Sequence, residues 1–99
     1  MAGAKHRAKT AKMKFDLTDA WARARWTGRC EISKIPFQLG LAPDDNRMYA
    51  ASIDRIDPRW GYTQRNCRFI LFAINALKQD GTDADVLRIA EAIIKTHRP

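Results

Sequence analysis

The chain reads as one small α+β domain. Two short apolar runs, Tyr49 to Ile56 and Cys67 to Leu71, are separated by a polar loop carrying Pro58, Gly61 and Asn66, the pattern of a β-hairpin. Helical spacing flanks that hairpin. Leu17, Trp21 and Ala24 recur at i, i+4 and i+7 before it, and Val86, Ala90, Ile93 and Ile94 share one helical face after it. Ninety-nine residues are enough for a single core, with little margin.

Each element follows from local chemistry. Asp16 and Thr18 are the candidate N-caps of a first helix that runs to about Trp26 and stops at Thr27-Gly28. Cys30 to Phe37 mixes apolar and polar residues and ends on Pro36, which predicts a short strand or hairpin arm. Gly40, Pro43, Asp44, Asp45 and Asn46 mark a loop. After the central hairpin, a helix from Phe72 to Gln79 should end at Asp80-Gly81, with Gly81 in the left-handed position that glycine tolerates. Thr82 or Asp83 then caps the last helix, whose Lys95, His97 and Arg98 suit the negative end of its dipole. Trp21 and Trp26 are assigned to the core. Trp60 and Tyr62, in the hairpin loop, either pack over the hairpin or touch a sugar or base.

Composition narrows the function classes. The chain is 45% hydrophobic and 29% charged, as expected of an ordinary globular protein. No apolar run is long enough to span a membrane, and the N-terminus lacks the apolar stretch of a secretory signal. Two cysteines, Cys30 and Cys67, are few for a disulfide scaffold and too few for a four-cysteine zinc staple; reduced thiols in a cytoplasm and no structural zinc are the expectation. The formal net charge is +7, and five of the cations, Lys5, Arg7, Lys9, Lys12 and Lys14, precede the first acidic residue. Residues 1–14 are therefore expected to be a flexible basic arm on a domain spanning residues 15–99. Such an arm is either a solubilising tail or a sequence-independent phosphate binder.

The chemistry-bearing residues cluster around the hairpin: Ser52-Ile-Asp-Arg-Ile-Asp-Pro58, Gly61-Tyr62, Asn66, and Asn75-x-x-Lys78. A strand ending on Asp54 and a helix carrying Asn75 can hold one divalent metal between them, and in a basic chain that metal would face a phosphodiester. The plainer readings are a surface carboxylate for Asp54, a buried amide bonded to backbone for Asn75, and an exposed helix lysine for Lys78.

These motifs, with Trp26-Thr-Gly-Arg-Cys-Glu-Ile-Ser-Lys-Ile-Pro-Phe37 before them, resemble the HNH endonucleases of the His-Me finger superfamily, and in particular the small HNH-like proteins common in phage genomes. The resemblance covers roughly residues 26 to 80. It implies a ββα-metal core, a hairpin packed on a helix, with flanking N- and C-terminal helices. It implies a metal-dependent endonuclease that hydrolyses DNA phosphodiester bonds with Mg²⁺ or Mn²⁺, held by Asp54 and Asn75. Asn66 matches the middle Asn of the motif, which ties the loop to itself. The implied partner is DNA, or RNA in its place, in the cytoplasm of a phage-infected bacterium, with a phage or host protein as a further partner. Arg55 and Lys78 would meet phosphate, alongside Lys5, Arg7, Lys9, Lys12 and Lys14.

One position departs from the family. Arg55 stands where a catalytic His takes the proton from water, and a guanidinium stays protonated in proteins. The catalytic set is then Asp54, Arg55, Asp57 and Asn75, with Asp57 as replacement base or second ligand, or as a turn-setting carboxylate before Pro58. His6 and His97 are poorly spaced to serve. The alternative function is an inactive HNH-like protein that binds nucleic acid or acts as a phage accessory factor.

Overall fold

The computed structural model describes residues 14–98. Lys5, Arg7, Lys9, Lys12 and His6 of the basic arm lie outside the described residues. Five elements follow in order: α1 (Asp19–Arg25), β1 (Ala51–Arg55), β2 (Cys67–Leu71), α2 (Phe72–Lys78) and α3 (Asp83–His97). Among the described residues the result is a small α+β fold with one antiparallel two-stranded hairpin and three helices.

Thr18 starts α1, its Oγ1 accepting from the Trp21 amide at 3.0 Å, while Asp16 instead receives the Gln64 amide at 2.8 Å. The segment from Cys30 to Phe37 is a tight turn closed by an Arg29–Pro36 bridge and contains no full strand. It still does a strand's work, because Glu31 N donates to Phe69 O at 3.0 Å and the Glu31 carboxylate receives the Phe69 amide at 2.9 Å. The open edge of β2 is thereby covered. Arg25 clamps the same carboxylate at 2.8 to 3.1 Å. Burial pushes the Glu31 carboxyl up, but the hydrogen bonds from Arg25 and the Phe69 amide, with the nearby positive charges of Arg25 and Arg68, together outweigh it and hold the group below its ordinary range.

The hairpin register pairs Ser52 with Ile70 and Asp54 with Arg68. Two buried clusters lie beside it: Leu17, Trp21, Tyr62 and Cys67 form one, and Cys30, Phe37, Ile70 and Leu71 the other. Phe69 packs against both, stacked on Trp21 with ring centroids 5.4 Å apart and edge-on to Trp26 at 5.2 Å. Both cysteines are free and buried.

Three expectations are corrected. Trp26, expected in the core, lies at its margin, 39% exposed, with one face on Phe37. The left-handed residue after α2 is Gln79 (φ 47°), not Gly81. Gly81 is required for space, since a Cβ there would lie 2.9 Å from Asp85 Oδ2 and 3.0 Å from Lys78 O. Along α3 only Val86 is buried, while Ile93 and Ile94 are 56% and 48% exposed, because the helix is anchored at its first turn and leaves the domain behind it. That first turn is secured by a capping box between Thr82 and Asp85.

Candidate active site at the hairpin–helix junction

The start of α2 fixes the site. Phe72 N and Ala73 N donate to Ala50 O (2.8 Å) and Met48 O (3.0 Å), so the helix leaves β2 directly and lies back along β1. Asn75 and Lys78, one turn apart on that helix, then face β1. Asn75 Nδ2 donates to Ser52 Oγ at 2.7 Å and to Ile53 O at 3.1 Å. A backbone carbonyl can only accept, so these bonds fix which end of the amide is nitrogen. Asn75 Oδ1 accepts no hydrogen bond among the described residues.

Asp54, Arg55, Tyr62, Asn75, Gln79 and Asp80 line one cleft of about 190 Å³, with Ile53 and Pro58 as its apolar wall. The structure thus brings Asp54 and Asn75 to the same cavity. Asp54 is 3% exposed and already carries two cations. Lys78 Nζ lies 3.1 Å from both of its oxygens, and Arg68 Nε donates to Oδ2 at 3.0 Å. Asp83 completes the group, receiving Arg68 Nη2 at 2.6 Å with Lys78 Nζ at 3.2 Å. Two carboxylates thus meet two cations with no net charge left over. Burial pushes the Asp83 carboxyl up, but the hydrogen bonds and positive charges of Arg68 and Lys78 together outweigh it and hold it low.

Lys78 is a correction to the sequence reading. Its side chain is 0% exposed and its ammonium also donates to Arg55 O at 2.7 Å and Ile56 O at 3.1 Å, so it does not meet a phosphate in this conformation. Nothing in the sequence separates a buried lysine from an exposed one at the end of a short helix. The pairing with Asp54 depends on the tertiary approach of α2.

Arg55 turns from the strand into the loop. Its Nη1 donates to Pro58 O at 2.7 Å and Trp60 O at 3.3 Å, its guanidinium lies 5.2 Å from the Tyr62 ring centroid, and Nη2 sits 3.6 Å from Asp80. Asn66 closes that loop, its Oδ1 accepting from Asp57 N and its Nδ2 donating to Asp57 O and Gly61 O, all at 3.0 Å. Asp57 receives the Arg59 amide and guanidinium at 2.8 to 3.3 Å, and these bonds hold its carboxyl down at about 2. A carboxylate so weakly basic is poorly matched to taking a proton near neutrality.

The structure is similar to that of the rare-cutting HNH restriction endonuclease PacI, with a TM-score of 0.66 and 19% identity, over 96% of this chain and 74% of that chain. The fold is HNH-like. No protein-family model and no curated protein matches the sequence.

For the divalent cation that such a fold implies, the donors at the cleft are all oxygen: the Asp54 carboxylate, Asn75 Oδ1 and the Asp80 carboxylate, 94% exposed. Hard oxygen donors of this kind fit Mg²⁺ or Mn²⁺. Among the described residues no three His, Cys, Asp or Glu side chains form a metal cluster, so water and phosphate oxygens would supply most of the remaining ligands. Asp80 was not singled out in the sequence as a site residue, and Tyr62 was read there as a loop aromatic that either packs over the hairpin or touches a sugar or base. Asp80 lies two residues past the end of α2, and nothing local in the sequence marks it as part of the cleft.

Proposed function

We propose that this chain is a DNA endonuclease of the HNH type, hydrolysing phosphodiester bonds at the cleft between β1 and α2. The observation that carries the reading is that Asp54 and Asn75 line one cavity, with no hydrogen bond to Asn75 Oδ1 among the described residues, in a fold similar to an HNH restriction endonuclease. Asp54 and Asn75 are the residues that would hold the cation. Bound there, the cation would supply charge stabilisation for a phosphoryl oxygen and the leaving oxygen. Asn75 is held in position by Ser52 and Ile53, so its carbonyl needs no rearrangement to act. The cleft's Arg55 contributes positive potential toward phosphate, and its carbonyl and guanidinium keep Lys78 and the loop in place. Arg55 is not a base. Asp80, exposed at the rim, is the carboxylate placed to accept a proton from water.

A second reading, a DNA-binding protein without cleavage, is favoured by one observation: Lys78 already occupies Asp54. The test is conversion of supercoiled plasmid in Mg²⁺ or Mn²⁺ by wild type, Asn75→Ala and Asp80→Asn, with EDTA as control. The endonuclease reading expects nicking by wild type only, abolished by EDTA. Plasmid binding by gel shift with no nicking at any cation concentration would establish the second reading.

A further inference from the structure

We infer that Trp60, Lys14 and Arg65 form a seat for an unstacked nucleobase and its phosphate, separate from the Asp54 cleft; this rests on the DNA-directed reading above. The loop carries two aromatic residues with opposite fates. Tyr62 is 5% exposed and packs against Leu17 and Phe15, whereas Trp60 is 63% exposed. An indole left in water normally reflects either loop mobility or a surface that awaits a partner. This loop is not slack. Trp60 N donates to Asp57 O at 3.1 Å, Trp60 O accepts from Arg55, and the neighbouring Gly61 O is held by Asn66. The indole is thus presented on a framework whose main chain is fixed on both sides of it.

Beside it runs a groove of about 580 Å³ lined by Lys14, Trp60, Gly61, Thr63, Arg65 and Asn66. Its two charged residues are both cations. Lys14 reaches it through a close main-chain approach: Tyr62 N donates to Lys14 O at 2.8 Å, and a Cβ on Gly61 would lie 2.5 Å from that same oxygen. Glycine is therefore what allows the Lys14 main chain to approach the loop so closely. A π-face beside two cations is the composition that binds a single-stranded backbone, with a base on the aromatic ring and phosphate on the charges. A protein partner would need an acidic and apolar surface here; the nucleobase is favoured because the two charged residues lining the groove are cations, its one large apolar group is a flat ring, and the Asp57 carboxylate that Trp60 hydrogen-bonds is already paired with Arg59.

The experiment is fluorescence anisotropy of the full chain in EDTA, with labelled oligo-dT and a labelled duplex. Wild type is compared with Trp60→Ala, Trp60→Phe and Arg65→Ala across a salt series, and the melting temperature of each variant confirms folding. Trp60→Ala should weaken single-strand binding by roughly ten-fold or more, with the salt slope unchanged, and Trp60→Phe should retain most of the affinity. Arg65→Ala should reduce the salt slope by about 0.7. Single-strand binding by Trp60→Ala equal to wild type, or equal losses in the Ala and Phe variants, would overturn the seat while leaving the DNA reading intact. No binding of either DNA by wild type would end both.

Discussion

Asp54 and Asp57 stand three residues apart at the end of one strand and serve opposite purposes. Asp54 is buried behind the hairpin between Lys78 and Arg68, in a group of four charges that also fastens the first turn of α3. Asp57 lies out in the loop, paired with Arg59, where solvent screens the pair. The first arrangement joins four elements, β1, β2, α2 and α3, and sets the shape of the cleft. The second shapes a turn that, with Asn66 and Arg55, presents Trp60. The difference shows that charge at a hairpin end carries no fixed meaning: the approach of α2 decides which carboxylate is structural scaffold and which is local turn chemistry.

Breaking the buried group should give the largest effect. Lys78→Met leaves Asp54 with one cation and strips the Arg55 and Ile56 carbonyls of their donor. A loss of about 3–5 kcal/mol is expected, read as a shifted midpoint in urea denaturation. A shift below about 1 kcal/mol would mean the four charges are not coupled as described. The same logic makes Asp54→Ala a poor probe of catalysis, because it strands two buried cations. Arg55→His, attractive from sequence as a way to restore a base, removes the guanidinium that holds Pro58 O and Trp60 O.

The loop should be less costly to break. Asn66→Ala removes three hydrogen bonds at once, with an expected loss of about 1–3 kcal/mol by the same denaturation measurement, since part of the loop can recover water. An unchanged midpoint would show that Arg55 and Asp57 suffice to hold the turn.

The effect that is nil near neutral pH is a pH dependence in the core between these two regions. Burial, with the nearby Asp54 charge adding to it, pushes the Cys67 thiol from 9.0 up to about 12. A folded-state value above the unfolded one means stability is fully present below pH 9 and falls as pH rises toward 12. The expected slope is at most about 1.4 kcal/mol per pH unit. Denaturation midpoints of wild type and Cys67→Ala across that window should diverge in slope; parallel curves would contradict the thiol's burial.

Much of the central fold was legible in the sequence. The alternation around Ser52 to Arg55, the polar loop and the run Cys67 to Leu71 specify a hairpin, because its strand and turn signals are local. The two caps were legible to within a pair for the same reason, Asp16 or Thr18 and Thr82 or Asp83, and the structure selects Thr18 and Thr82. What could not be read depends on distant approach. Glu31 covers the edge of β2 through a contact 38 residues away, and Asp54 meets Lys78 across 24 residues. Neither carries a local signature. The outer stretch of α3 misled for the converse reason: its apolar spacing is that of a packed helix, yet only its first turn meets the domain. Asp54 and Asn75 were legible as a pair; the ammonium between the strand and the helix was not.

The central claim is that Asp54 and Asn75 Oδ1 share one divalent cation. The most direct measurement is the anomalous difference map of a crystal of the protein bound to DNA and soaked in Mn²⁺. The account predicts a peak in the cleft within ligand distance of both side chains, with Lys78 Nζ drawn away from at least one Asp54 oxygen. A fully DNA-bound crystal with no peak there, and Lys78 still on both carboxylate oxygens, would contradict it.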